Sequence, residues 1–318
     1  MVRRLLNWKT LLVAALCIIV AGILLAWFIG SSGVLSAQQT SVTPLAKGTP
    51  TPIATTTILQ LQPFATTSPT ISTTPAIAPK TAGQRQVVFV NKMQETIWVA
   101  AASSGGHAAL ATSGWVLPAG ASVSITIPDA WNGRFWGRTG CSFDSSGNGH
   151  CATGDCAGHF QCGTNWGAVP ATLAEYNLNS YAGLDFYDVS LVDGANLPMW
   201  INNSGGTTPD TINANGCSAA GCTKNVLDTC PAVLQIKNAG GTEIACDAAC
   251  NIFHTDQYCC RGAYSARSMC DPTKWPVNYA AVFKAAEPFA YSYPDDDATS
   301  TLTCKPECAY RITFGVSP

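Results

Sequence analysis

Residues 147–162 read GNGHCATGDCAGHFQC, and this stretch decides how the rest of the chain is read. Cys151, Cys156 and Cys162 fall within twelve residues, spaced by glycines, a threonine and one aspartate. So little apolar side chain cannot build a core. The pattern suits a loop stapled by disulfides, with Gly supplying tight turns and covalent ties standing in for burial. Fifteen cysteines among 318 residues likewise argue for an oxidising compartment.

Toward the N-terminus, Arg3, Arg4 and Lys9 precede residues 11–30, which are apolar or small and carry no charge. At ~1.5 Å rise per residue such a span matches the ~30 Å hydrocarbon core of a bilayer. The flanking charge predicts an N-in, C-out signal-anchor. A cleaved signal peptide is the alternative, leaving at Ser31-Ser32-Gly33 or Val34-Leu35-Ser36. Cys17 lies inside the span, so fourteen cysteines remain for the exported part. Residues 38–80 are rich in Thr, Pro, Ser and Ala without one acid, and read as an extended stalk open to O-glycosylation. The expected organisation is 1–30 signal or anchor, 31–85 stalk and 86–318 folded domain.

From residue 86 onward nineteen acidic residues face eleven basic ones, a net −8. That balance disfavours nucleic acid and anionic membrane surfaces, and leaves neutral polymers as partners. Short β-branched and aromatic runs at 87–90, 96–102, 122–128, 134–138, 186–192 and 310–314, punctuated by Gly, Asn, Asp and Pro, predict an antiparallel sandwich or barrel. Residues 255–260 and 279–286 read as short helices among clustered cysteines. His107, His150, His159 and His254 are not at ligand spacing to one another, and the cysteines lack the paired C-x2-C pattern of zinc sites. No metal and no cofactor is expected.

The 147–162 run resembles the signature of thaumatin-like proteins, G-x-G-x-C-x-T-G-D-C followed by Gly and a last Cys. WGRTGC at 136–141, TLAEYNLN at 172–179, GLDFYDVSLVDGANLPM at 183–199, QYCC at 257–260, AYSYPDDDATSTLTC at 290–304 and YRITF at 310–314 extend the likeness over about residues 88–316. The resemblance implies a mainly β fold, a flattened antiparallel β-sandwich with disulfide-rich lobes, short helices and a cleft beside the larger lobe. It also implies the bridges Cys141–Cys151, Cys156–Cys162, Cys217–Cys304, Cys230–Cys246, Cys250–Cys259 and Cys260–Cys270. Met93 and Gly315 stand where larger members tie the first strand to the C-terminus. Glu287 replaces the usual partner of Cys222, and an additional Cys308 suggests a relocated Cys222–Cys308 bond.

Antifungal and glucan-binding members of that family share one arginine and four acids, which fall here on Arg134, Glu175, Asp188, Asp193 and Asp297. Such carboxylates accept hydrogen bonds from sugar hydroxyls, and Phe186, Tyr187 and Tyr176 are candidate ring faces. Two of them can instead form a glycosidase pair, with Glu175 as acid and Asp188 as partner carboxylate. Crowded carboxylates raise at least one pKa. A competing structural account makes these acids turn residues and gives Arg134 and Arg138 the task of neutralising them. Trp115, Trp131, Trp136, Trp166 and Trp200 read as core and lobe packing. The resulting expectation is an exported, monomeric domain that binds β-1,3-glucan-type polysaccharide, with weak endo-β-1,3-glucanase and antifungal or defence activity. The alternative is a non-catalytic protein-interaction module, a hydrolase inhibitor or surface receptor domain.

Overall fold

A computed structural model describes residues 82–204, 220–221, 224–305 and 308–316. The apolar span 11–30, the stalk up to residue 81, Cys217 and Cys222 lie outside the described residues. Among those described, no helix is long and apolar enough to cross a membrane.

Period-two alternation organises the main layer. Strands β1 (Gln84–Asn91), β2 (Ile97–Ser103), β3 (Gly114–Leu117), β4 (Ser122–Pro128) and β5 (Asn132–Arg138) precede the stapled loop. That loop holds β6 (Ser142–Phe143) and β7 (Gly149–His150). Beyond it come β8 (Leu173–Asn177), β9 (Asp185–Ser190), β10 (Met199–Ser204), β11 (Gln235–Lys237), β12 (Glu243–Cys246), β13 (Leu302–Cys304) and β14 (Ala309–Phe314). One sheet runs β13-β9-β8-β5-β2-β3, antiparallel throughout. A second runs β10-β14-β1-β4, in which β1 and β14 are parallel. Phe135, Tyr176, Tyr187 and Val189 of the first sheet join Val87, Phe89, Ile312 and Phe314 of the second in one buried core. Each such side chain contributes about 1.5–3 kcal/mol through apolar burial. The expected mainly β architecture is the one observed.

The parallel β1–β14 pair matters because Met93 and Gly315 stand where the resemblance implies a bridge between the first strand and the C-terminus. Five residue pairs, Val87↔Tyr310 to Asn91↔Phe314, join the two strands. The Lys92 amide adds a 2.8 Å hydrogen bond to the Phe314 carbonyl. Backbone pairing thus ties the first strand to the last directly. β1 also starts at Gln84, ahead of the boundary expected at residue 86. The reason is Arg85, which is buried and pairs with Asp129 at 2.8 Å and Asp185 at 2.9 Å. Tyr310 donates its hydroxyl to the second Asp185 oxygen at 2.8 Å.

Disulfides join Cys141 to Cys151 and Cys156 to Cys162 in the small lobe. Others join Cys230 to Cys246, Cys250 to Cys259 and Cys260 to Cys270 in the larger one. The expected Cys217–Cys304 and Cys222–Cys308 bonds are corrected: Cys304 pairs with Cys308. These two cysteines close the link between β13 and β14, with Cα atoms 6.2 Å apart across four residues, so the local partner is already within reach. Short helices occur at Asp256–Cys259, with the Thr255 side chain as cap, and at Ala280–Ala286. Both fall inside the segments read as helical.

Candidate functional site

Alternation along β5 turns Phe135 into the core and Arg134, Trp136 and Arg138 toward the opposite face. Arg138 is completely buried there and donates to the His159 and Phe160 carbonyls at 2.9 and 2.8 Å, so it anchors the small lobe. Arg134 stands directly opposite Glu175 on β8, and Glu175 directly opposite Asp188 on β9. One cation and two carboxylates therefore form a row across three neighbouring strands.

Asp193 joins the row from the turn after β9. That turn closes with the Gly194 amide donating to the Leu191 carbonyl at 3.0 Å. Gly194 has φ +91°, and a Cβ there would come 2.7 Å from the Cys246 carbonyl oxygen. A side chain at 194 is excluded both ways, which fixes where Asp193 sits. Arg134 Nη1 lies 4.0 Å from Glu175 and 3.9 Å from Asp193. Its Nη2 donates to the Trp166 carbonyl at 2.7 Å, and the guanidinium sits 3.9 Å from the centre of the Trp166 ring. Such stacking adds roughly 0.5–2 kcal/mol and locks the cation in place.

Asp297 arrives from the far segment. Asp296 turns away to Lys284 at 2.8 Å. Asp297 accepts from the Tyr291 hydroxyl at 2.5 Å and pairs with Arg267. Tyr291 also contacts the Thr301 hydroxyl. Its backbone is held beside β9 by 2.8 Å bonds to Val189 and Leu191. Glu175, Asp188, Asp193 and Asp297 all line one open cleft of about 370 Å³, together with Ser190 and Tyr291. A recess of about 150 Å³ continues it, sharing Glu175 and Asp188 and adding Asn132, Trp166 and Phe186. All five residues singled out in the sequence are thus neighbours.

Three aromatic expectations are corrected. Tyr176 and Tyr187 are buried and join the core, because they alternate with Glu175 and Asp188 along their strands; Tyr176 borders the recess but is only 3% exposed, and Phe186 shares the face of Asp188. Trp166, read as packing, is 43% exposed and forms a cleft wall against Arg134. Tyr291 and Arg267 were not singled out: their positions depend on contacts between segments distant in sequence.

Burial pushes the Asp188 carboxyl well above the usual range, and the adjacent Glu175 pushes it further. Glu175 is also raised by burial and by Asp193, but Arg134 and a hydrogen bond from Ser190 oppose that shift. Burial lowers Arg134, offset by Glu175 and Asp193. The set offers hydrogen-bond acceptors, one fixed cation and at least one carboxyl biased toward its neutral form. A larger groove of about 740 Å³ lies against the small lobe, lined by Trp98, Phe143 and Phe160. Its Asp144 is occupied in its own turn by the Ser146 and Asn148 amides, so no charges converge there. Among the described residues, Cys260, Cys270 and Asp295 bring ligand atoms within 4.8 Å, but both sulfurs are spent on a disulfide.

The Thaumatin family model matches residues 91–316. The chain belongs to the Thaumatin family. It is 45% identical over 233 residues to pathogenesis-related thaumatin-like protein 3.5 of Cryptomeria japonica, covering 73% of this chain and 90% of that protein. Pathogenesis-related protein 5 of Arabidopsis thaliana is 46% identical over 224 residues, 70% of this chain and 87% of the relative. A Prunus avium protein named glucan endo-1,3-beta-glucosidase is 44% identical over 229 residues, with coverages of 72% and 89%. Membership of the Thaumatin family and the several disulfides accord with an extracellular domain.

Proposed function

We propose that this Thaumatin-family domain binds β-1,3-glucan-type polysaccharide along the Arg134–Glu175–Asp188 row and hydrolyses it slowly. The supporting observation is convergence: Glu175, Asp188, Asp193 and Asp297 line one open trough, and the buried Arg134 of β5 stands beside Glu175 and Asp193. Carboxylates accept from sugar hydroxyls, Arg134 fixes their geometry, and Phe186 and Trp166 supply apolar surface beside them. A sugar polymer is uncharged, so the acidic domain does not repel it. The relative named glucan endo-1,3-beta-glucosidase supports the same polymer class. In this reading residues 11–30 tether the domain, and the Thr/Pro-rich stalk gives it reach toward a wall polymer.

Hydrolysis needs one protonated and one ionised carboxyl flanking the scissile bond. Glu175 and Asp188, directly opposed on adjacent strands, supply the pair. The test is retention on insoluble β-1,3-glucan with reducing-sugar release from a soluble laminarin-type glucan. Wild type is retained and releases sugar, and the double variant Glu175→Gln with Asp188→Asn does neither. Unchanged retention in the double variant removes the cleft from the account. No retention by wild type favours a protein-binding domain instead.

A further inference from the structure

Asp188 and Glu175 face the same cleft from adjacent strands, yet their surroundings differ in kind. Glu175 has Arg134 at 4.0 Å on the side away from Asp188. Asp188 has no such partner: its Oδ1 is buried without a hydrogen bond, and among the described residues no cation pairs with it. Every other titratable group turned toward it is acidic or phenolic. Glu175 is opposite on β8, Asp193 and Asp297 line the same cleft, and Tyr291 lies close enough to feel its charge. The two cations of the neighbourhood are already engaged, Arg134 with Glu175 and Asp193, Arg267 with Asp297. A second negative charge beside Glu175, on an oxygen hidden from water, has nothing to balance it.

We infer that Asp188 is the neutral carboxylic acid of the cleft, giving its O–H to an oxygen of the bound saccharide, while Glu175 is the ionised acceptor held by Arg134. This reverses the assignment expected from sequence, and it rests on the glucan-binding reading while refining it. A sugar hydroxyl both donates and accepts. A donor carboxyl beside an acceptor carboxylate matches that polarity, whereas two carboxylates side by side offer acceptors alone. The raised pKa of Asp188, caused first by burial and then by Glu175, agrees with the geometry.

The test separates the two carboxyls, using calorimetry of the full chain with a soluble β-1,3-gluco-oligosaccharide near about pH 6. Asparagine keeps a donor where the neutral acid has one, so Asp188→Asn stays within about threefold of wild-type affinity. Glu175→Gln removes a charge-assisted acceptor and weakens binding by at least about tenfold. A tenfold loss in Asp188→Asn overturns the assignment and leaves glucan binding standing. Absence of wild-type binding, or full affinity in both variants, removes the glucan-binding reading itself. The proton is then decided without ligand, by isotope-edited infrared spectra of protein carrying 13C-labelled aspartate. The wild-type minus Asp188→Asn difference contains the carbonyl band of a neutral acid. A difference showing only carboxylate bands contradicts the inference.

Discussion

Replacing Glu287 with glutamine isolates the cost of a carboxyl that the fold buries completely. Glu287 sits at the C-terminal end of the helix Ala280–Ala286, and neither of its oxygens makes a well-formed hydrogen bond. Burial raises its pKa well above the usual value, and the Met199 amide opposes the shift without cancelling it. An acid whose folded-state pKa is raised adds stability in acid, and that stability is lost as pH climbs above the unfolded value near ~4.3. Between that value and the folded one, each pH unit costs about 1.4 kcal/mol. Glutamine keeps the shape and does not ionise. From about pH 4.5 upward, Glu287→Gln should gain about 1.4 kcal/mol over wild type for each pH unit below the folded value. For a domain of this size each such unit is a Tm gain of roughly 3–6 °C. Asp188 has a raised pKa too, but it is common to both proteins and cancels in the difference. Scanning calorimetry of both at about pH 4.5 and 5.5 is the assay. A Tm difference that does not change between them contradicts a buried, raised carboxyl at Glu287.

Three further outcomes follow from the buried and cleft charges. Asp185→Asn leaves Arg85 without its fully buried partner; thermal denaturation should show a loss of about 3–5 kcal/mol, and a loss under about 1 kcal/mol contradicts the role given to that pair. Arg134→Met removes the cation that opposes the upward shift of Glu175, so 13C NMR should find the Glu175 carboxyl titrating at higher pH than in wild type. Non-reducing peptide mapping should recover Cys304 and Cys308 bridged within one tryptic peptide, since Pro306 protects the Lys305 bond; a Cys217–Cys304 link contradicts it.

What the chain reveals before folding depends on how local each cause is. The alternating run at 122–128 and the glycine-spaced cysteines of 147–162 carry their structure in adjacent residues, and β4 and the small lobe appear where they were read. β8 hides because LAEYN mixes a helix former, an acid and a ring, and its strand form depends on β5 and β9 at either side. The five cleft residues were found by resemblance. Their chemistry was not: that Tyr176 and Tyr187 point inward follows from alternation, yet only sheet pairing says which face is core. The Cys304–Cys308 bond was missed because the family pattern outweighed a local pair. Arg85 escaped notice because a single basic residue at the end of a stalk carries no sign of burial.

If the row of charges across β5, β8 and β9 receives the glucan, amide NMR of the labelled protein will locate the sugar there. Adding a β-1,3-gluco-oligosaccharide should shift signals around Arg134, Glu175, Asp188 and Asp193, fading with distance from the trough. Shifts centred instead on Trp98, Phe143 and Phe160, or none at saturating sugar, contradict it.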